Sequence, residues 1–501
     1  MSYLQRRAVA GSFIFKFPDD DTTKKPQVAL FRRSGKVRAY RHKYAPIAGS
    51  VEKTDANPLA TAWRELKEET TLTNTSLRLF RQGKPYSFVD ESVDREWVIN
   101  PFSFVLKSTK EGGHGEAGIQ LDWEHEGYEW FDPDVVNGTD EFHGVPRILE
   151  SLRRVWFNID LGEEAGRTLG NGLIALQGDH ESSGHQISSK ALEILVDVIK
   201  KLETDSREVW WKNARFTAWH LWKNGGESTG APILSTMVSS LAIIEDNLPH
   251  DGSSLGGSIN CIVQALEQYN QHRQNVISQV GASLDGFLTT HFSRAETVRI
   301  LTLSSISATT SGITQVLKHS KTSLDIRVLE SRPLFEDVNI ADTVPSSANN
   351  DSTKANIMVY QNASLNTAAK DIDLILVEAD LIDKTGNVTN KTGLLPTILA
   401  AKHVSPGVKV IALFDKERIQ PFESLIEEEN HPQDVAQTRG GSDQSQTDSS
   451  PRVEVKSACS DWASSSLVDY YLTEDGVTVR EGIADCAENI RKDADRFFTD
   501  L

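Results

Sequence analysis

Residues 49 to 72, GSVEKTDANPLATAWRELKEETTL, constrain what this chain can fold into more than any other stretch. Pro58 is placed to open a helix, because it lacks the amide proton that a first turn leaves unused. A helix over 58 to 70 brings Glu65, Glu68 and Glu69 onto one face, at i, i+3 and i+4. Three carboxylates so close repel one another unless a cation sits among them, and ligation by oxygen alone suits Mg²⁺ or Mn²⁺. Leu59, Ala62 and Leu66 supply the buried side. The same letters also describe a solvated helix in which Arg64 and Glu68 form an i,i+4 pair, so a metal centre and a charged surface face both stand at this point.

Context separates the two. A basic, strand-like segment leads to an Ala48-Gly49-Ser50 turn, an acidic loop with Asp55 follows, and then the glutamate helix. That order resembles the Nudix hydrolase signature, which Gly49, Arg64, Glu65, Leu66, Glu68, Glu69 and Leu72 match. The loop from Asp55 to Arg64 is one residue longer than the family spacing, and Thr71 stands where the family has a glycine. Such a glycine ends a helix where a positive φ is often needed. The resemblance implies attack of water on a diphosphate, with Glu65, Glu68 and Glu69 as metal ligands and Arg64 orienting them. It also implies a base near the metal, for which Glu126 or Glu129 is available. ADP-ribose-like nucleotide sugars are the favoured substrates, with other nucleotides and diphosphoinositol compounds open.

The chain has 501 residues, which predicts two or three domains. Its formal net charge of −18 argues against a general nucleic-acid or anionic-membrane binder. Against that background Arg32, Arg33, Lys36, Arg38, Arg41, His42 and Lys43 form a basic cluster just before Gly49. It reads either as a grip on an anionic substrate or as a solvated loop. Three dispersed cysteines point to a reducing compartment, and no apolar run is long enough for a signal peptide or a membrane span. A soluble, cytoplasmic protein is expected. Trp130 and Trp156 read as core residues ahead of a purine-stacking platform.

Strands are expected over 8–15, 27–32, 76–88 and 97–106, with a last one at 126–131 and an amphipathic helix at 145–157. Mixed strands with a helix on each side predict an α/β/α sandwich over residues 1–160. Residues 161–295 are helical in pattern. From 296 to 501, short apolar strands at 298–302, 324–330, 357–360, 374–377 and 408–414 alternate with helical segments, the rhythm of a Rossmann-like parallel sheet. Ligands in such sheets lie beyond the carboxyl ends of the strands.

The residues after those strands are Ser304-Ser305, Glu330-Ser331-Arg332-Pro333, Glu378-Ala379-Asp380 and Gly386 to Gly393, with a closing Tyr471 to Gly476. Together they resemble the regulatory alpha, beta and delta subunits of translation initiation factor 2B, and the ribose-1,5-bisphosphate and methylthioribose-1-phosphate isomerases of the same superfamily. The isomerases use a cysteine after the first strand and an aspartate in the ADxI segment. Asp380 matches the aspartate, but the cysteine position is Ser304, a far weaker acid, as in the non-catalytic branch. Asp380 reads equally as a structural acid holding the Asn390-Lys391 turn. The resemblance implies a sugar-phosphate pocket drawing on Arg332, Ser304, Asn390 and Lys391, and a homodimer or factor-like assembly. Residues 427–452 read as a disordered insertion.

Two functions follow. One is a Mg²⁺-dependent diphosphohydrolase joined to a sugar-phosphate-binding module, whose isomerase activity is open. The other is a binding protein in which a degenerate Nudix domain senses a metabolite, the reading that Thr71 and Ser304 favour.

Overall fold

The computed structural model describes residues 5–18, 25–179, 182–204, 206–226, 230–249, 255–303, 307–319, 322–330, 355–422, 458 and 460–501. Ser304, Arg332 and the expected insertion at 427–452 lie outside them. The chain divides into two compact units. The first holds residues 1–178, 193–225 and 501, and the second holds 179–192 and 226–500.

The first unit is built on a mixed eight-stranded sheet. Its strands are β1 (Gln5–Lys16), β2 (Gln27–Arg33), β3 (Tyr44–Ala45), β4 (Ile47–Ser50), β5 (Leu77–Gln82), β6 (Tyr86–Asp90), β7 (Arg95–Leu106) and β8 (His125–Phe131). β1 runs parallel to β7 and antiparallel to β2 and β4. Alternation along the strands makes two cores. Ala10, Ile14, Ala29, Phe31 and Phe104 face helix α1 (Pro58–Thr70), joining its Ala62 and Leu66. Phe13, Phe15, Val28 and Leu30 face helix α2 (Ile148–Leu152) with Trp156. A layer on each side of the sheet is the expected sandwich.

Two local readings change. The stretch 76–88 is two strands, β5 and β6, both antiparallel to β7 and separated at Gly83-Lys84-Pro85. Pro85 has no amide to give the ladder, and Gly83 N–H turns to Pro101 O (2.8 Å). The amphipathic stretch 145–157 keeps only five helical residues, α2, before the chain turns. Three further helices, α3 (Asn158–Leu161), α4 (Glu163–Gln177) and α6 (Arg207–Asn224), belong to the first unit, while α5 (Gly184–Ile199) runs across the dividing position at 192/193.

The second unit contains helices α7 (Gly230–Asn247), α8 (Leu255–Gln274) and α9 (Val276–His291), then a seven-stranded sheet. Its strands are β9 (Thr297–Thr302), β10 (Ser323–Leu329), β11 (Ala355–Tyr360), β12 (Leu374–Glu378), β15 (Lys409–Leu413), β18 (Tyr470–Thr473) and β19 (Gly476–Thr478), in the order β11-β10-β9-β12-β15-β18-β19. All adjacent pairs are parallel except the β18–β19 hairpin. Val298, Ile300, Ile326, Leu374 and Ile411 pack with Leu284 and Phe287 of α9 and with Ile313 and Val316 of α10 (Ser307–His319). A small second sheet carries β13 (Leu381–Asp383), β14 (Val388–Lys391), β16 (Ile419–Gln420) and β17 (Ser460–Ala463). Strands of two to four residues leave too little alternation to be read from sequence.

Candidate functional site

Asn57 caps α1, its Oδ1 accepting from Ala60 N–H (2.9 Å), and Pro58 follows at the first helical position. Arg64 then ties the preceding loop to the helix. Its Nε and Nη2 donate to both oxygens of Asp55 (3.2 and 3.1 Å), and Nη2 also donates to Ser50 O (3.1 Å). This fork holds the Asp55 carboxyl well below the usual carboxylate range, with Glu52 N–H and Thr61 Oγ1–H also donating to it. Arg64 Nη1 lies 2.7 Å from Glu65 and 3.2 Å from Glu68.

Gly49 is a strand residue, opposite Ala10 in the β1–β4 pairing, and not the turn its sequence suggests. What it provides is space. A Cβ there would stand 1.8 Å from Glu65 Cδ, so only glycine lets the carboxyl lie against the strand.

The three helix glutamates part company. Glu65 and the buried Glu69, one turn apart, meet on the inner side. Burial first, and then the charges of Glu65, Glu124 and Asp122, push the Glu69 carboxyl up to about 9. Glu65 is raised too, by burial, against the pull of Arg64. Glu68 is exposed and turned to Arg64. The buried imidazole of His125 sits between Glu69 (3.6 Å) and Asp122 (3.6 Å), and burial lowers its pKa. Thr71 ends the helix at φ +61°, the left-handed geometry expected where the signature has glycine.

Glu65 and Glu69 border a cavity of about 600 Å³. Glu52 and Glu124 are its other acids, and Arg7, Arg33, Lys36, Arg38 and Arg95 its cations. Tyr40, Tyr86, Phe88, Trp97 and Trp123 add aromatic wall. Among the described residues no three carboxylate, imidazole or thiol groups converge into a ready-made metal cage. A pair of mutually repelling carboxylates on a cavity wall nonetheless fits Mg²⁺, which keeps waters and completes its shell with phosphate oxygens.

Glu126 is not part of the cavity wall. Its Oε1 accepts from Gly35 N–H (3.2 Å) and lies 2.9 Å from His42 Nδ1, with Arg32 at 3.5 Å, and the His42 contact leads in lowering its pKa. Glu129 accepts from the Tyr44 hydroxyl. Of the basic cluster, Arg33, Lys36 and Arg38 reach the cavity. Trp156 stacks on Phe15 (5.4 Å) and Trp130 packs at the edge of the α1-side core. The sequence did not single out Trp97, Trp123, Glu124 or His125. They come from strands and loops distant in sequence from the helix, and no spacing rule joins them to it.

In the second unit, Asp380 follows β12, with its amide donating to Thr389 O (2.9 Å) and Oδ1 3.9 Å from Arg418 Nη1. Asn390 is buried and structural: its Nδ2 donates to Glu378 O, and its Oδ1 accepts from Lys391 N–H (2.6 Å). Beneath them lies a buried polar network absent from the sequence reading. Glu378 Oε2 accepts from Thr309 N–H (2.9 Å) and Oγ1–H (3.0 Å), and burial raises its pKa despite Arg418. Arg418 donates to Asp415 (3.0 Å) and Ala379 O (2.7 Å). Burial alone would lower its pKa, but Asp415, Glu378 and Asp380 outweigh it and hold the guanidinium charged. Arg273 donates through Nε and Nη2 to Glu417 (2.6 Å each), through Nη2 also to the Ser188 hydroxyl (2.5 Å) and through Nη1 to that of Ser189 (3.0 Å). Glu378, Asp415 and Glu474 all stand at or just past the carboxyl ends of parallel strands.

Residues 181–479 match the family model of the initiation factor 2 subunit family. The chain belongs to that family. This member also carries a NUDIX domain, matched at residues 10–152. Similar solved structures include the tetrameric eIF2B-beta2-delta2 complex from C. thermophilum, at 12% identity and a TM-score of 0.48, covering 67% of this chain and 98% of that one. Another is 5-methylthioribose 1-phosphate isomerase from Pyrococcus horikoshii OT3, at 15% identity and 0.47, covering 65% and 87%. The delta subunit of eIF-2B from A. fulgidus gives 13% and 0.43, covering 64% and 90%. No curated protein matches this family member. Among its described residues no helix is long and apolar enough to cross a membrane.

Proposed function

We propose that the first unit hydrolyses the diphosphate of a nucleoside-linked substrate, ADP-ribose-like compounds being favoured, with Mg²⁺ or Mn²⁺ as cofactor. Water bonds to one phosphorus, the bridging P–O bond breaks, and two phosphate monoesters and a proton leave. The observation that carries this reading is the meeting of Glu65 and Glu69 on the wall of a cavity otherwise rich in cations and aromatic rings. Bound there, the metal ion would supply charge for the phosphate oxygens and acidify the attacking water. Glu65 and Glu69 would hold it, and Glu68 would join by releasing Arg64. Arg64 is a positioning residue, since it fixes Asp55, the loop and Glu65 together. Glu124, on the cavity wall beside Glu69, is better placed than Glu126 to accept the proton from water.

Glu65→Gln and Glu69→Gln are each expected to cut Mg²⁺-dependent turnover by about 10²-fold or more in a phosphorus-NMR assay. Unchanged turnover would overturn the assignment. The strained Thr71 favours one alternative, a sensor that binds nucleotide sugars without cleaving them; retention of ligand by the full chain with no products at any Mg²⁺ or Mn²⁺ level would select it.

For the second unit, we propose a cytoplasmic sugar-phosphate-binding and assembly module that forms a homodimer. Asp380, just past β12 of the seven-stranded sheet, and Lys391, which ends β14 of the small sheet, support it. Ribose 5-phosphate released from ADP-ribose would connect the two units chemically. Conversion of ribose 1,5-bisphosphate by the chain would instead make the module an isomerase.

A further inference from the structure

Five cations line the cavity of the first unit, and they do not all lie beside its carboxylates. Ser34 N–H donates to Glu124 O (2.7 Å), which keeps the 33–38 segment at the carboxylate end, where Arg33 and Lys36 can meet the diphosphate itself. Arg7 and Arg95 are elsewhere. Arg7 is three residues along β1 from Ala10, the partner of Gly49, and Arg95 lies opposite Gln5, two residues further. At the rise of a strand these are about 10 and 17 Å from the Gly49 level.

Neither has an acid of its own among the described residues, in a chain with 71 acidic and 53 basic side chains. The contrast with their neighbours is informative. Arg6, on the opposite face of β1, lies 3.7 Å from Glu96, whereas Arg7 and Arg95 line the cavity without such a partner. Asp90 stands across from Arg95 in register, but its carboxylate already accepts from the Tyr40 hydroxyl (2.6 Å) and from Ser92 N–H (2.9 Å). Arg95 lies 5.3 Å from the ring centroid of Trp97, and Trp97 pairs in register with both Arg7 and Phe88. A guanidinium pair flanking an aromatic floor, about 10 to 17 Å along the strands from the Gly49 level, has the chemistry of a phosphomonoester site.

We propose that the substrate carries a third phosphate, esterified to a sugar hydroxyl beyond the diphosphate that is cleaved, and that Arg7 and Arg95 select for it. The proposal rests on the diphosphohydrolase reading for its substrate class, and its test separates the two.

Matched pairs differing only in that phosphate, ADP-ribose against its 2′-phosphate and NADH against NADPH, would be assayed with the full chain and Mg²⁺. Their affinities would be measured without metal by tryptophan fluorescence. The phosphorylated member should be favoured about tenfold or more in kcat/KM and in Kd. Arg7→Gln with Arg95→Gln, checked for an unaltered melting curve, should bring the ratio towards one. Equal use of both members, or a preference untouched by the double substitution, overturns the proposal and leaves the hydrolase reading standing. Preferential binding with no cleavage supports the phosphate site and overturns hydrolysis. No binding and no cleavage overturns both.

Discussion

Thr71 places a β-branched side chain at φ +61°, where steric conflict between Cβ and backbone costs about 1–2 kcal/mol. Its hydroxyl donates to Gly118 O (3.3 Å), a partial offset. Thr71→Gly should raise stability by about 1 kcal/mol, read as a shift in the denaturation midpoint with urea. This strain was legible in the sequence, because the signature calls for glycine at that position. Glu474 was not legible. Its carboxyl is pushed up to about 7, by burial first and then by Asp415, and those surroundings exist only once β15 and β18 lie side by side. Its folded pKa exceeds the unfolded value, so the native state holds the extra proton between the two, and stability falls as pH rises from about 4.5 through 7. Glu474→Gln keeps an acceptor for Lys416 N–H (3.2 Å) without the charge. It should match the parent near pH 5 and exceed it by roughly 1–3 kcal/mol at pH 8, in melting curves across that range.

At the scale of elements, the first residue and the apolar side of the glutamate helix follow from spacing, but the parting of Glu68, exposed and turned to Arg64, from Glu65 and Glu69 does not. Gly49 was legible as important and misjudged in kind. A turn glycine is needed for its φ, whereas this one is needed because Glu65 occupies the place of a side chain. Gly49→Ala should therefore leave β4 paired and the melting temperature little changed, while displacing Glu65 and lowering Mg²⁺-dependent kcat roughly 10- to 100-fold. Crystals of the variant soaked in Mn²⁺ would show whether Glu65 has moved. The split of 76–88 into two strands was signalled by Gly83 and Pro85, yet apolar alternation on both sides masked it. The reading of Glu126 had a different weakness: alternation tells which residues share a face of β8, but not which lies beside a helix from another part of the chain.

At the scale of the molecule, both folds were legible because each repeats its own rhythm, alternating mixed strands first and short buried parallel strands later. How the helices between them are shared was not, since amphipathic spacing says that a helix has a buried side and nothing about which core takes it. Within the first unit, α6 completes the packing. Asn224 exchanges hydrogen bonds with Gln82 of β5 (2.7 and 3.0 Å), His220 lies against Phe157 (4.6 Å), and Trp210 is wholly buried. Arg81, buried between the rings of Phe80 and Phe157, donates to Val155 O (3.0 Å) in the same region. A fragment ending at residue 160 should therefore bind an apolar dye and aggregate, while one extended to 226 should remain soluble, as gel filtration of the two would show. The family match and the packing thus draw their borders in different places. Residues 193–225 fall inside the stretch that matches the initiation-factor family model, yet they belong to the first compact unit. A cut at that border would part α6 from the strand and rings it packs against, which makes the edge of the matched stretch a poor place to divide the chain.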